Sequence, residues 1–193
     1  MLYNQNPSQM NAPGGDFHAL VDAICSYLVD GEMWHRRAAN ECRKLGVRGW
    51  GRWHEAEAEG DSHLLTCLCK LLVDNCNYIP KLDMTGANKS AAYSMSNLGD
   101  FKNSHEEWIQ RETMLIDILN NAIHESRSAN MEVYYKLCGV QEEVQNEAMR
   151  VEWIARRLGL SNWNGSDLGL ISMKIHKYFE CEYKGGKIDF NVG

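Results

Sequence analysis

The sequence predicts an all-α protein: four long helices packed as a bundle, with a shorter fifth helix near the C-terminal end. Three observations predict it. Apolar residues recur at intervals of three and four over four long stretches, which marks helices with one buried face. No convincing strand alternation occurs before the last ten residues, 184–193. Residues 81–104 hold no sustained periodicity, and a connection that long suits a crossover running the length of a bundle, which lets the third helix lie parallel to the second.

Residues 1–15 contain two of the three prolines and read as a flexible arm, with Asp16 as a helix N-cap. The first helix, about 16–45, carries the stripe Phe17, Leu20, Val21, Ile24, Leu28 and Gly31, continued by His35, Ala38, Cys42 and Leu45. Glu32 lies at the edge of that face, three residues before His35 and so its neighbour. Gly46, Gly49 and Gly51 mark the connection to a second helix at about 50–76.

In that second helix Leu64, Leu68, Leu71 and Leu72 set an apolar face. Each residue advances roughly 100°, and extending the face backwards passes Asp61, Glu57, Trp53 and Trp50. Two carboxylates stand where leucines belong. Asn75, Asn77 and Pro80 end the helix.

A third helix is expected near Ser104, whose partner Glu107 makes a capping-box pattern. Its stripe is Trp108, Leu115, Leu119, Ala122 and Ile123, with Glu112 inside it. A fourth, about 131–159, runs through Val133, Leu137, Val140, Val144, Val151, Ala155 and Leu158, with Glu147 in the stripe and Gly159 as a stop. After the turn SNWNGSD, residues 168–179 read as the short fifth helix. The bundle would span 16–179, and 180–193 would be a tail or one short strand.

With 193 residues, 44% of them hydrophobic and 24% charged, the chain suits one soluble globular domain. A net charge of -6 opposes binding to nucleic acid or an anionic membrane. No segment approaches the roughly 20 apolar residues of a membrane span, and the polar start lacks the regions of a secretory signal, so a cytoplasmic location is expected. The seven cysteines, without a CxxC pair, read as reduced core thiols.

Each long helix therefore puts a potential ligand on its inward face: Glu32 and His35, Glu57 and Asp61, Glu112, and Glu147. Singly, each acid has the plain reading of a snorkelling or edge residue. Together they point elsewhere, because buried carboxylates repel unless cations intervene. A four-helix bundle with inward Glu and His can hold two metal ions, and oxygen-rich ligands with few imidazoles suit iron or manganese better than zinc.

Layout and local segments resemble the ferritin-like proteins, the group of ferritin, bacterioferritin and the Dps miniferritins, over about residues 17–179. The segments are IPKL after the second helix, SAAYSMSNLGDF in the crossover, QRETMLI in the third helix and NEAMRVEWIARRLGL closing the fourth. The resemblance implies Glu32, Glu112 and Glu147 as ligands from the first, third and fourth helices. In the second helix the family's Glu-x-x-His departs, since Gly60 stands three before His63 and Glu59 stands four before it. Register thus favours Glu59 and His63, whereas the leucine phase favours Glu57 and Asp61; a bulge near Gly60 would reverse that preference. Arg150 stands where bacterioferritin would show histidine, so that family's symmetric site is not reproduced, and Glu32-x-x-His35 is an unusual feature that would have to compensate.

What the resemblance implies is an iron protein that oxidises Fe(II) to Fe(III) at a di-metal site with oxygen or peroxide. It would store or detoxify the product in a homo-oligomeric cage, of 24 rather than 12 subunits because of the fifth helix. No catalytic residue beyond the ligands is expected. Manganese is the alternative metal, and haem is not supported, since the nine methionines are scattered and neither Met33 nor Met114 stands out. The rival readings are a di-iron or di-manganese peroxidase-type enzyme of the same fold, and a non-catalytic scaffold with a degenerate site. No lysine-rich arm supports Dps-like DNA binding. His54, His105 and His124 read as surface or helix-edge histidines, and the six tryptophans as packing residues.

Overall fold

The structure, a computed structural model, describes residues 15–83, 94–128 and 130–181. Five helices follow in order: α1 (Gly15–Lys44), α2 (Arg48–Cys76), α3 (Leu98–Ser126), α4 (Met131–Leu160) and α5 (Gly165–Cys181). The expected arm up to Gly14, the crossover middle at 84–93 and the tail from 182 onwards lie outside the described residues. No described helix is long and apolar enough to cross a membrane.

Local chemistry fixes the ends. α3 begins six residues before Ser104, because Asn97 is the N-cap and its side chain accepts the Asp100 N–H. Ser104 instead lies buried inside the helix, so the Ser104–Glu107 spacing is not a capping box. Asn130 caps α4, its side chain accepting the N–H groups of Glu132 and Val133. Asn77 closes α2 in the left-handed conformation, with φ of 49°.

Two apolar clusters establish the helix directions. One joins the N-terminal half of α1 (Phe17, Val21, Ile24) to the C-terminal half of α2 (Leu68, Leu72), that of α3 (Leu115, Leu119) and the N-terminal half of α4 (Val133, Leu137). The other joins the opposite halves, through Trp34, Trp50, Trp53, Trp108, Val151 and Leu158, to Leu168 and Ile175 of α5. Hence α1 is antiparallel to α2 and α4 to α3, while α2 and α3 run parallel.

Consecutive helices that run parallel need the crossover, and α1 holds both of its ends. Asp22 accepts hydrogen bonds from the Tyr78 hydroxyl and the Lys81 N–H, both at 2.8 Å, and Ser26 Oγ accepts the Asp83 N–H at 2.7 Å. At the far end Glu41 Oε2 accepts the Met95 N–H at 3.0 Å. From Asp22 to Glu41 is about 28 Å of helix at 1.5 Å per residue, most of the bundle's length.

α5 crosses the start of α2. Gly49 and Gly51 belong to α2 and are buried, not part of a flexible link. The Gly49 N–H donates to Ser172 Oγ at 3.0 Å, and a Cβ on Gly49 would run into the Ser172 carbonyl. The true turn is at Gly46, whose φ of 83° only glycine adopts readily.

Candidate metal centre

Between the two apolar clusters lies a polar layer contributed by all four long helices. His35 comes from α1, Glu112 from α3 and Glu147 from α4, and one ligand atom from each lies within 4.8 Å of the others. An ion at the centre of a triangle of that size is within a modest side-chain rotation of all three. From α2, Glu57 and Asp61 join the same layer and face its charges.

Indole N–H groups hold two of these carboxylates. Trp53 Nε1 donates to Glu57 Oε1 at 2.6 Å, one turn along α2, and Trp108 Nε1 donates to Glu147 Oε1 at 2.9 Å from α3 to α4. Both tryptophans are fully buried, so the acids are fixed against rings that cannot rotate away. Asp61 packs against the backbone of α1 at Gly31, where a Cβ would collide with its carboxylate.

Electrostatically the layer is under strain from like charge. Desolvation, then the neighbouring Glu57, pushes Glu112 up to about 8, against the pull of Arg111. Burial raises Asp61 well above the carboxylate range, with Glu112 and Glu57 adding to it. Glu147 is likewise raised by burial and by Glu112, Glu57 and Asp61, and a hydrogen bond from its protonated carboxyl to Glu57 raises it further. Glu57 is raised by burial and eased by Arg150 and by that hydrogen bond. Without a metal, then, the layer favours holding protons over ionising together, with Glu112 pushed up to about 8.

Two arginines border the layer. Arg111 forms an ion pair with Asp30 at 2.6 Å and lies over the rings of Tyr27 and Trp34, each at 5.3 Å. Its charge acts on Asp61 and Glu112, while that of Arg150 acts on Glu57.

Other sequence-derived candidates are not among the converging ligand atoms, although the charge of Glu32 acts on Asp61. Glu32 is engaged one turn along α1 by Arg36, at 2.7 Å. On α2, Glu59 and His63 are exposed, and His63 Nε2 meets Cys67 Sγ at 3.5 Å. The helix passes Gly60 without a bulge.

Two histidines expected at the surface are buried. His54 and His105 are each 2% exposed, while His124 does stand in solvent. His35 Nδ1 and His54 Nδ1 lie 2.9 Å apart, and His105 Nε2 donates to the Val151 carbonyl at 2.9 Å. Burial holds all three neutral, with His54 lowered to about 3, His105 to about 4 and His35 well below its ordinary value. His54, Trp53, Trp108 and Arg111 are the residues of this layer that sequence reasoning missed as such. A signal existed, since Trp53 precedes Glu57 by four and His54 precedes it by three, both on one helix face.

A parallel middle pair, a connection whose two described ends are both held on the first helix, a short fifth helix and an acidic layer between apolar ends define a ferritin-like four-helix bundle. The chain has that fold. It is similar to an open-pore ferritin from the hyperthermophilic archaeon Archaeoglobus fulgidus, with a TM-score of 0.71, covering 84% of this chain and 96% of that one. It is similar also to an engineered closed form of the Archaeoglobus fulgidus ferritin, with a TM-score of 0.64 over 84% and 95% of the two chains. Identity is 10% in both, so the likeness is one of fold. No protein-family model matches the sequence, and no curated protein does.

Proposed function

We propose that this chain is an iron-binding protein that takes up Fe(II) at the acidic layer, oxidises it, and stores or detoxifies the product as a homo-oligomer. One observation carries the reading: His35, Glu112 and Glu147 converge from three helices within 4.8 Å among carboxylates that must otherwise hold protons to coexist. A divalent cation displaces those protons and cancels the repulsion. The donor set, one imidazole nitrogen with carboxylate oxygens, suits iron and manganese.

In this reading His35, Glu112 and Glu147 bind the ion first, with Glu57 and Asp61 completing its surroundings. Fe(II) is the substrate, and each ion gives one electron to oxygen or peroxide. Trp53 and Trp108 keep the ligating acids oriented through their N–H groups. Glu32, paired with Arg36, lies outside the set. A homo-oligomeric cage follows from the fold by analogy, and the acidic chain would draw cations to it.

Anaerobic calorimetric titration of metal-stripped protein with Fe(II) and Mn(II) tests the reading. At least one tight ion per chain is expected, lost in Glu112→Gln and Glu147→Gln and retained in Glu32→Gln. Fewer than one ion per chain would overturn it. Admitting oxygen to Fe(II)-loaded protein then tests oxidation by the rise of ferric absorbance, and light scattering gives the subunit number.

A second reading has its own observation. Arg111 and Arg150 already supply positive charge to Glu57, Asp61 and Glu112. With shared protons they would balance a scaffold that binds no metal, and the same titration separates the two.

A further inference from the structure

The neighbour of His35 on α2 belongs to neither the ligand set nor the apolar core. His54 is fully enclosed, its ring 4.4 Å from Trp108 and 5.4 Å from Trp34, centroid to centroid. An imidazole in such a slot is costly unless its nitrogens are used. The polar contact it makes is to His35, Nδ1 to Nδ1 at 2.9 Å.

At that distance the two nitrogens cannot both carry hydrogen, nor can both present lone pairs. One donates and the other accepts. If His54 donates, His35 accepts at Nδ1 and its own hydrogen sits at Nε2, the one ring nitrogen His54 leaves for a cation. If His35 donates, its Nε2 is left with a bare lone pair. Only the second arrangement makes His35 a ligand, and metal-binding histidines generally donate their other nitrogen in this way.

We propose that His54 is a positioning residue for metal capture: its Nδ1 accepts the Nδ1–H of His35 and so holds Nε2 of His35 bare for the ion. This rests on the metal reading above. The usual acceptor behind such a histidine is a carboxylate or a carbonyl oxygen. An imidazole does the same work without adding another negative charge to a layer already crowded with acids.

The geometry also orients the ring. Trp34 meets His35 edge-on at 4.9 Å and Trp108 meets it at 5.0 Å, so packing fixes the plane while His54 selects which nitrogen is protonated. Packing and hydrogen bonding therefore have separable effects, and substitutions at position 54 can divide them.

The first test needs no variant. Solid-state 15N spectra of histidine-labelled, metal-free protein, with a His35→Asn sample to assign the resonance, are expected to show His35 protonated at Nδ1. The second measures Mn(II) affinity by calorimetry. His54→Phe keeps a ring between Trp34 and Trp108 and removes the acceptor, and is expected to weaken binding about 10–100-fold. His54→Asn places an amide oxygen where Nδ1 stood and is expected to stay within about 3-fold of wild type, well short of that loss. His35 protonated at Nε2 in the wild-type protein overturns the assignment, as does an equal loss in both variants or wild-type affinity in His54→Phe. A wild-type protein that binds no Mn(II) or Fe(II) overturns the metal reading itself. Metal binding together with an Nε2-protonated His35 overturns the role of His54 alone.

Discussion

Replacing Glu112 with glutamine is expected to move stability and metal binding in opposite directions. Glu112 is 7% exposed, and its carboxyl is pushed from 4.5 to about 8, so the folded chain binds its proton more tightly than the unfolded chain does. Its contribution to stability is therefore full below about 4.5 and is lost as pH rises towards 8. At about 1.4 kcal/mol per pH unit, ionising it in the fold costs on the order of 5 kcal/mol, of which roughly 2 kcal/mol falls between pH 6.5 and 8.

That upper interval isolates the acids. His35, His54 and His105 have lowered folded values, so their contribution is complete above about 6.5 and is lost only as pH falls below it. Urea unfolding of metal-free protein at pH 6.5 and pH 8 is the assay. Wild type should lose on the order of 2 kcal/mol or more over the interval, since Asp61 and Glu147 are raised as well. Glu112→Gln should flatten that slope by about 2 kcal/mol and equal or exceed wild type at pH 8, while binding metal more weakly. A Glu112→Gln protein less stable than wild type at pH 8, or a flat wild-type profile, would show that the acids are structurally paired and refute the reasoning.

Three further outcomes are expected. Gly31→Ala places a Cβ against the Asp61 carboxylate, and should cost about 1–3 kcal/mol in thermal unfolding and lower metal affinity, because Asp61 must turn away. Gly49→Ala meets the backbone of Ser172 rather than a movable side chain, so α5 must shift; a loss of about 1–3 kcal/mol should come with faster proteolysis between 165 and 181. The Glu41 carboxylate is held below 4.5 first by the Met95 N–H, so the crossover anchor is complete above that value and is released as pH falls through the lower folded value. Hydrogen exchange at Met95, corrected for intrinsic pH dependence, should accelerate there before the core opens.

Helix number, order and inward phase follow from the sequence, because burial imposes the helical period on each segment independently. Glu57, Asp61, Glu112 and Glu147 were legible in this way, as acids in stripes that continue as leucine or valine. His54 and His105 lie on the same stripes, four residues after Trp50 and Phe101 respectively, and reading them as surface residues ignored that phase. Ser104 misled because a capping pattern within a helix looks like one at its start, and only the Asn97 hydrogen bond distinguishes them. Gly49 misled because glycine serves close helix crossings as well as turns.

What no single stripe contains is the relation between stripes. The 2.9 Å approach of His35 to His54, the bond from Trp108 to Glu147 and the ion pair of Arg111 with Asp30 each join two helices. They depend on how far each helix is slid and rotated against its neighbour, which the packing of the two apolar clusters decides. Sequence alone determined that acids and a histidine would face inward. Tertiary packing decided which of them meet, because a convergence of ligand atoms within 4.8 Å is a property of four helices at once.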